Sequence, residues 1–435
     1  MAGLAFQTSA PARAPALVDA DTAIRSVLFI AVFLAVWISF HPFPDLAEPP
    51  SRVAGGGDVA NQVAFSTIFI GLAAWTWFHE PLRLKLVLRP ALIVMLSWFA
   101  VTVVTSWEPA LALRRLIFTL VIMSISAMAL LLPKNLRHFA DLMAIVAFIV
   151  LAACYLGVLI APYYAVHQVT DFLEPEHAGE WRGVFAHKNE AGANMVLLIF
   201  VGLFLARSRS LAIGGAIAVS AAIFLACTQS KTAIGVLPVA LGLSAVIPRL
   251  RRPALASALV VIVLGLFNLF SIGTVIFEPV HNLIHAIMPD STFTGRADIW
   301  ELGTRAVALR PITGYGFGSF FGTHQVVYGV SEGPNWPSDA TDAHNAYLNL
   351  ALTVGLPGMA LAIIWAVALP VVDYFRRSAD VETMALRTLF LRVCLYGTYA
   401  ACFESSIMQQ ASSAWFLHLT SIFGLCYLAR TRVAV

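Results

Sequence analysis

The stretch FADLMAIVAFIVLAACYLGVLIA, residues 139–161, is almost entirely apolar and carries a single charged side chain, Asp141, near its beginning. An α-helix rises about 1.5 Å per residue, so a run of this length crosses the roughly 30 Å hydrocarbon core of a bilayer. Similar runs recur along the chain of 435 residues, of which 59% are hydrophobic and 12% charged. Soluble domains contain about 25% charged residues. The sequence therefore predicts an all-α, polytopic membrane protein.

Working outward from this stretch, we predict twelve membrane spans, separated by two long polar loops at 163–190 and 277–344. Residues 1–23 are predicted to be a cytoplasmic tail without a signal peptide. Spans 1–9 occupy 24–276, and spans 10–12 with a short cytoplasmic tail occupy 345–435. The predicted spans lie near residues 24–41, 59–78, 86–105, 114–132, 139–161, 191–206, 211–228, 232–247, 254–276, 345–371, 387–404 and 413–429.

The distribution of basic residues predicts the orientation of these spans. With the N-terminus in the cytoplasm, about two thirds of the 27 Lys and Arg residues fall in cytoplasmic segments, as the positive-inside rule requires. Both long loops then face outward. Outward-facing cations have no such explanation, and arginine is well matched to phosphate because its planar fork donates two parallel hydrogen bonds. The pattern therefore favours an anion held at the outer membrane surface.

Composition also excludes several classes of protein. The net charge of +3 and the lack of a basic tract or stacking motif argue against nucleic acid as a partner. The five cysteines all fall within apolar runs, without metal-type or disulfide-type spacing, so they are predicted to be small buried hydrophobic residues. No outward Asp/Glu cluster is suited to a divalent ion, and we predict no metal and no cofactor.

Two outward stretches lie at predicted helix beginnings. In WRGVFAHKNEAG, residues 181–192, Arg182 and Lys188 supply charge, and Asn189 is placed to cap the following helix. In CTQSKTAIG, residues 227–235, Lys231 lies near a helix N-terminus, where backbone N–H groups favour an anion. The alternatives are an ordinary loop with an N-cap in the first stretch and an accident of topology in the second.

The longest outward stretch is TGRADIWELGTRAVALRPITGYGFGSF, residues 294–320. Its apolar residues recur at helical spacing over 297–309, which predicts an amphipathic helix that ends before Pro311. Arg296 lies at the N-terminal end, where a cation opposes the helix dipole, and this hints at an anionic partner. The glycines 314, 316 and 318 are predicted to form a turn that side chains would obstruct. No strand precedes them, so a nucleotide-binding fold is rejected.

The tenth span is entered through DAHNAYLNLALTVGLPG, residues 342–358. Asp342 is predicted to be the N-cap, which puts His344 in the first helical turn beside Asn345. There the helix dipole disfavours imidazolium, so His344 is predicted to be neutral and able to accept a proton from a hydroxyl group. The alternative is an interfacial histidine that only holds the loop.

Three motifs together resemble those of the O-antigen ligase and O-antigen polymerase (Wzy/WaaL-like) superfamily: HNAYLNLALTVGLPG, TGRADIW with the following RPITGYGFGSF, and GVFAHKNEAG. Within it, the chain looks most like ExoQ-type exopolysaccharide polymerases over about residues 60–430. The resemblance implies a twelve-span, GT-C-like, inverting and metal-independent glycosyltransferase. Such an enzyme transfers glycan from undecaprenyl pyrophosphate at the periplasmic face of the bacterial inner membrane.

The resemblance also implies roles for individual residues. His344 and Arg296 match catalytic positions, and Arg182, Arg296 and Arg305 match positions that hold pyrophosphate. Arg305 with Gly316 matches an Arg-x10-Gly pattern, which the stretch from Arg182 to Gly192 repeats with one residue fewer. Lys188 and Lys231 are assigned to the same pyrophosphate site with less support, and the residues predicted to orient the acceptor are Asp298, Asp342 and Asn345.

Alternatives remain at the level of function. A polymerase would use another lipid-linked repeat unit as the acceptor, whereas a ligase would use lipid A-core. A transporter would place ionisable residues at mid-membrane depth, and here the charges gather at helix ends, with Glu404 as an exception. A structural component of an export complex is a third reading. The partners implied by the resemblance are lipid-linked oligosaccharide, membrane lipids, and polysaccharide export or chain-length regulator proteins.

Overall fold

The computed structural model describes residues 19–47, 59–172, 174–287, 296–329, 340–376, 381–408 and 412–431. In these ranges the chain forms helices and turns, together with a single isolated antiparallel bridge between Val166 and Trp181. The helices are α1 (Ala20–Trp37), α2 (Val59–His79), α3 (Pro81–Leu84), α4 (Pro90–Val104), α5 (Pro109–Ala129), α6 (Leu136–Ile160), α7 (Pro162–Ala165), α8 (Lys188–Ser208), α9 (Leu211–Thr228), α10 (Lys231–Val246), α11 (Pro253–Leu269), α12 (Gly273–Ile276), α13 (Glu278–Ile287), α14 (Arg296–Leu309), α15 (His324–Gly329), α16 (Ala346–Ile363), α17 (Leu369–Phe375), α18 (Val381–Ala400) and α19 (Ser413–Arg430).

The prediction of an all-α, polytopic membrane protein is confirmed. Each of the twelve predicted spans coincides with a helix, but eight of the described helices are long and apolar enough to cross a bilayer. A ninth span results if the segments Pro81–Val87 and Pro90–Val104, which meet at a bend of 74°, are taken together. The count of twelve therefore stays a prediction.

The helix α19 is not apolar enough to be counted among the eight spans, and its burial explains why. Every residue from Trp415 to Ala429 is buried, including His418. A helix enclosed by protein does not meet lipid, so it tolerates polar side chains that a lipid-facing helix would not. Hydropathy alone underestimates such a helix.

The tenth predicted span is broken in its middle. Gly355 has φ 72° and ψ 174°, and Pro357 follows it, so the helical hydrogen-bond ladder is interrupted. The carbonyl of Leu352 accepts a hydrogen bond from the backbone N–H of Tyr315 at 2.8 Å, and that of Thr353 accepts one from Gly316 at 3.0 Å. The break thus exposes carbonyls inside the bundle, and the glycine turn satisfies them.

The glycine turn itself is confirmed. Gly314, Gly316 and Gly318 all have positive φ. A Cβ atom at Gly316 would lie 2.1 Å from Ser106 Oγ, and one at Gly314 would lie 2.5 Å from the carbonyl oxygen of Leu352. The helix before this turn is also confirmed, because α14 runs from Arg296 to Leu309. The residues Thr294 and Gly295 of the predicted motif lie outside the described residues.

Candidate functional site

Four helix beginnings and one helix end meet at one end of the bundle, which we call the loop end. There α8, α10, α14 and α16 begin and α18 ends. The Asn189 side-chain amide donates to Glu404 at 3.1 Å and accepts from Ser230 Oγ at 3.0 Å. Arg296 donates to the same Glu404 carboxylate at 3.2 Å. The three outward stretches predicted from sequence therefore converge.

Glu404 is the residue that joins them. Its Oε2 lies 3.9 Å from His344 Nδ1, and Asp342 Oδ1 lies 3.8 Å from the same nitrogen. We call these five residues, Asn189, Arg296, Asp342, His344 and Glu404, the Glu404 cluster. The side chains of His344 and Glu404 are 33% and 29% exposed, so the cluster is open to a ligand. The cluster contains a guanidinium, which can bind an anion, and an imidazole near two carboxylates, which can accept or donate a proton.

The backbone at His344 differs from the prediction. The N-cap of α16 is Asn345, whose side-chain oxygen accepts from the N–H groups of Tyr347 and Leu348, both at 3.0 Å. The prediction of Asp342 as N-cap was wrong. Asp342 Oδ1 instead accepts from the N–H of His344 at 2.7 Å, and His344 precedes the helix with φ 46°. Both residues are cap-forming types, and the tertiary contacts of Asn345 decide between them.

The electrostatic surroundings of His344 also differ from those assumed in the prediction of a neutral imidazole. Burial disfavours the charged form of His344, but the hydrogen bond to Glu404 and the charge of Asp342 outweigh it, so the pKa of His344 is raised. The prediction considered the helix dipole, which acts over the first turn, and His344 lies outside that turn. A carboxylate within about 4 Å favours imidazolium more strongly. His344 is therefore a stronger base than a free histidine, and it is protonated over a wider pH range.

Asn345 cannot touch an acceptor in this structure because it is completely buried. Its Nδ2 donates to the carbonyl of Cys402 at 2.8 Å and to Asn268 Oδ1 at 3.2 Å. Asn345 thus fixes the backbone next to His344 against the end of α18. Its predicted role in orientation is consistent with this position, but the role is indirect. Asp298 is exposed in the first turn of α14, and its predicted role stays a prediction.

Most of the predicted pyrophosphate ligands already have partners. Arg182 is 1% exposed and donates to the carbonyls of Phe185 and Pro44 at 3.2 and 2.8 Å. Lys188 Nζ lies 2.6 Å from Glu180. The sequence-based picture of freely available outward cations is therefore too simple, because these two residues hold loop 163–190 in place.

Arg305 and Lys231 are exposed instead. Arg305 is 76% exposed and forms an ion pair with Glu301 on its own helix. Arg305 follows Arg296 by nine positions, which is two and a half helical turns, so the two side chains project from opposite sides of α14. Lys231 is exposed at the first position of α10, as predicted, next to the N-cap Ser230. The pyrophosphate roles of all five cations, including Arg296, stay predictions.

A second polar group, which we call the loop cluster, lies in loop 163–190 beside the first turn of α8. Its side chains are paired at short distances: His167 to Asp171 at 2.7 Å, His187 to Glu174 at 2.6 Å, and Lys188 to Glu180 at 2.6 Å. His187 is also the N-cap of α8, a place predicted for Asn189. The loop cluster comprises His167, Asp171, Glu174, His177, Glu180, His187 and Lys188.

Glu174, His177 and His187 place ligand atoms within 4.8 Å of one another, close enough to hold a metal ion. The hydrogen bonds do not suit one. His187 Nδ1 accepts from the N–H of Asn189 at 3.0 Å, so Nε2 carries the proton that is directed at Glu174. A metal on Nε2 would require that proton to leave, and the cap would then be lost. The positively charged Lys188 nearby adds repulsion, so the loop cluster fits a structural role better than a metal site.

Two contacts of the Glu404 cluster were not predicted from the sequence. Asn189 links Ser230 to Glu404, and Glu404 contacts both Asn189 and Arg296. Glu404 lies 215 residues from Asn189 and 108 from Arg296 along the chain. In the sequence, Glu404 is an acidic residue at the end of the apolar run 387–404. A carboxylate at a span end, with outward cations in need of partners, is the pattern that could have identified it.

Comparison with known proteins agrees with the resemblance. Residues 194–363 match the model of the O-antigen ligase family, a range that includes Arg296 and His344 but not Asn189 or Glu404. The exopolysaccharide production protein ExoQ of Rhizobium meliloti (strain 1021) is 27% identical over 195 residues. That alignment covers 41% of this chain and 43% of the relative, so it spans less than half of either protein. Part of the chain is therefore similar to the O-antigen ligase family, and part of it is similar to ExoQ.

Proposed function

We propose that the protein is an inverting glycosyltransferase that moves a glycan from undecaprenyl pyrophosphate to an acceptor hydroxyl. The reaction would take place at the loop end, on the periplasmic face of the bacterial inner membrane. The observation that carries the proposal is the Glu404 cluster, in which one carboxylate contacts both Arg296 and Asn189 and lies 3.9 Å from His344. The family match supports the class of reaction.

The chemistry follows from the groups present. The acceptor oxygen forms a bond to the anomeric carbon as the bond from that carbon to the pyrophosphate oxygen breaks. The electron pair leaves with the pyrophosphate, whose charge Arg296 would stabilise. His344 Nδ1 faces two carboxylates, so Nε2 is the nitrogen that would accept the acceptor proton.

The pairing of Arg296 with Glu404 has a consequence for binding. The net charge of the empty cluster is low because two carboxylates face one guanidinium and one imidazole. A pyrophosphate that displaces the Glu404 carboxylate from Arg296 would leave Glu404 directed at His344 and would strengthen the base. Substrate binding and activation of the acceptor are thereby coupled through one side chain.

Polymerisation of repeat units is the preferred reaction. The relative at 27% identity carries a name that refers to exopolysaccharide production, whereas the matched family is described as O-antigen ligase. Ligation to lipid A-core is the second candidate. Both reactions place a sugar hydroxyl against the same diphosphate site, and chain-length regulator or export proteins would act beside the enzyme rather than in its site.

The decisive experiment uses purified protein in proteoliposomes with undecaprenyl-pyrophosphate-linked glycan and no other protein. We expect a ladder of carrier-linked products, both with a metal chelator and without it. A single transfer to added lipid A-core, without a ladder, would identify a ligase. Unchanged substrate in all reactions, with protein shown to be folded by its thermal transition, would contradict the proposal.

A further inference from the structure

A cavity of about 270 Å³ lies beside the Glu404 cluster. Its wall is formed by α5, the glycine turn, the first turns of α16 and the segment after α18. Asp342 belongs to both regions, because it lines the cavity and its Oδ1 lies 3.8 Å from His344 Nδ1. Ser405, the residue after Glu404, also lines the cavity. A molecule in the cavity would therefore lie next to the imidazole.

The lining has the chemistry of a sugar site rather than of a diphosphate site. Phe317 and Phe321 offer aromatic rings, and Asn349 and Thr353 offer an amide and a hydroxyl. The carboxylate of Asp342 would repel a diphosphate but accepts hydrogen bonds from sugar hydroxyls. The guanidinium of Arg115 donates to the carbonyl of Gly318, so part of its hydrogen-bonding capacity is used by the wall.

One buried hydroxyl in the wall has no hydrogen-bond partner among the described residues. Ser405 is 6% exposed, and its Oγ makes no hydrogen bond to any of the residues that the structure describes. A buried hydroxyl without a partner costs about 1–3 kcal/mol, so proteins rarely retain one without a use. Rotation of the Ser405 side chain towards the cavity would allow a ligand hydroxyl to satisfy it.

We propose that this cavity binds the sugar residue that supplies the acceptor hydroxyl, with Ser405 and Asn349 as its binding residues and Asp342 shared with His344. The proposal rests on the proposed function, since it names the subsite of the acceptor for that reaction. The volume lies just below the lower end, roughly 300 Å³, of pockets for small ligands. It suits one sugar ring and leaves the rest of the acceptor chain outside.

The test separates binding from catalysis. The probe is the soluble oligosaccharide released by mild acid from the cells' own lipid-linked glycan. Its binding to the full-length protein in nanodiscs is measured by saturation-transfer NMR. The same oligosaccharide, supplied as acceptor with lipid-linked donor, gives an apparent KM. We expect Ser405→Ala and Asn349→Leu each to weaken binding and raise this KM about three- to tenfold, with little change in kcat.

Ser405→Ala is informative because a structural role would have the opposite signature. Removing a buried hydroxyl that has no partner should leave the thermal transition unchanged or higher. The matched control is Ser124→Ala on α5, where the hydroxyl donates to the Leu120 carbonyl on its own helix. This control should leave binding and KM unchanged.

The outcomes of these measurements test the cavity proposal and the proposed function separately. Equal binding in wild type, Ser405→Ala and Asn349→Leu would overturn the cavity proposal, even if glycan transfer proceeds. Displacement of the oligosaccharide by inorganic pyrophosphate would also overturn it, because the cavity would then be a diphosphate site. Binding that Ser405→Ala weakens, in a protein that transfers no glycan, would support the cavity and contradict the proposed function.

Discussion

The Glu404 cluster and the loop cluster use the same kinds of side chain at the same end of the bundle, but they differ in how closely those side chains are paired. In the loop cluster three pairs of charged and imidazole groups meet at 2.6–2.7 Å, and His167 is 2% exposed, whereas His177 lies 3.2 Å from Glu180 and 3.9 Å from Glu174. In the Glu404 cluster the contacts of Glu404 range from 3.1 to 3.9 Å, and a cavity lies alongside. Short pairs occupy the atoms that form them and leave those atoms less available to a ligand.

The difference teaches how a structural cluster can be distinguished from a reactive one. Both contain histidines and carboxylates, so residue type does not separate them. The loop cluster has defined tautomers because His167 and His187 each donate through one nitrogen and accept through the other. The Glu404 cluster leaves room for a substrate to complete it. We therefore propose that the loop cluster contributes to stability and the Glu404 cluster to the reaction.

The largest effect that would sharpen this comparison is expected from the basic residues of the Glu404 cluster. His344→Asn and Arg296→Gln should each reduce glycan transfer by about 10²–10⁴-fold, because they remove the proton acceptor and the diphosphate ligand. Asparagine tolerates the positive φ at position 344, so the fold should be kept. The measurement is product formation in proteoliposomes, alongside the thermal transition. Full activity in either variant would break the assignment of chemistry to this cluster.

The next largest effect concerns the pH dependence of transfer. Because the pKa of His344 is raised, the acidic limb of the rate profile should lie above the ordinary histidine value of about 6.5. Below that limb the imidazole is protonated and cannot accept a proton. Glu404→Gln removes the group that favours imidazolium, so it should move the limb to lower pH and reduce the maximal rate about tenfold. A limb that stays in place would show that His344 is not the titrating base.

A smaller effect is expected from the loop cluster, and it should appear in stability rather than in activity. The hydrogen bond from His187 lowers the pKa of Glu174 to about 2. A lowered folded-state pKa contributes stability above the unfolded value near 4.5, and this contribution is lost as the pH falls towards 2. Glu174→Gln should therefore lower the thermal transition at pH 7 by a few degrees and leave the acceptor KM unchanged.

The control for that prediction is the pH dependence of the thermal transition in the two proteins. Wild type and Glu174→Gln should converge in stability as the pH falls from 4.5 towards 2, since Glu174 becomes neutral in the folded protein only near pH 2. A large loss of transfer in Glu174→Gln at unchanged stability would break the comparison and place the loop cluster in the reaction.

The smallest effect is expected at Arg305. An exposed ion pair within one helix contributes roughly 0.3–0.5 kcal/mol, so Arg305→Ala should change the unfolding free energy by no more than that. Its position on the side of α14 opposite Arg296 predicts a change in transfer of less than about threefold. The family pattern implies a role in holding pyrophosphate instead. A severe loss of transfer at unchanged stability would confirm that role and correct the geometric argument.

The sequence was sufficient for those features that depend on local pattern. Apolar runs predicted the positions of the long helices, the Arg296–Leu309 helix followed from periodicity, and Lys231 lies at a helix beginning as predicted. The glycine turn was predicted because glycine permits the positive φ that the three positions adopt. Each of these depends on neighbours within a few residues.

Features set by distant contacts were not predicted. Asp342 and Asn345 are both capping residues, and the choice of Asn345 depends on Cys402 and Asn268. The sign of the His344 pKa depends on Glu404, which is 60 residues away along the chain and belongs to a different predicted span. The burial of Arg182 depends on Pro44. The sequence therefore predicted helix beginnings and turns, but it did not predict which distant residues contact them.

The enclosure of α19 has a consequence for how the protein is made. A ribosome synthesises this helix after the other eighteen that the structure describes, yet its neighbours surround it on all sides. The contacts that the earlier helices make with α19 can therefore form only after α19 has been inserted. Chains interrupted before Ser413 should be recognised by membrane proteases as unfinished, even though their Glu404 cluster is already synthesised.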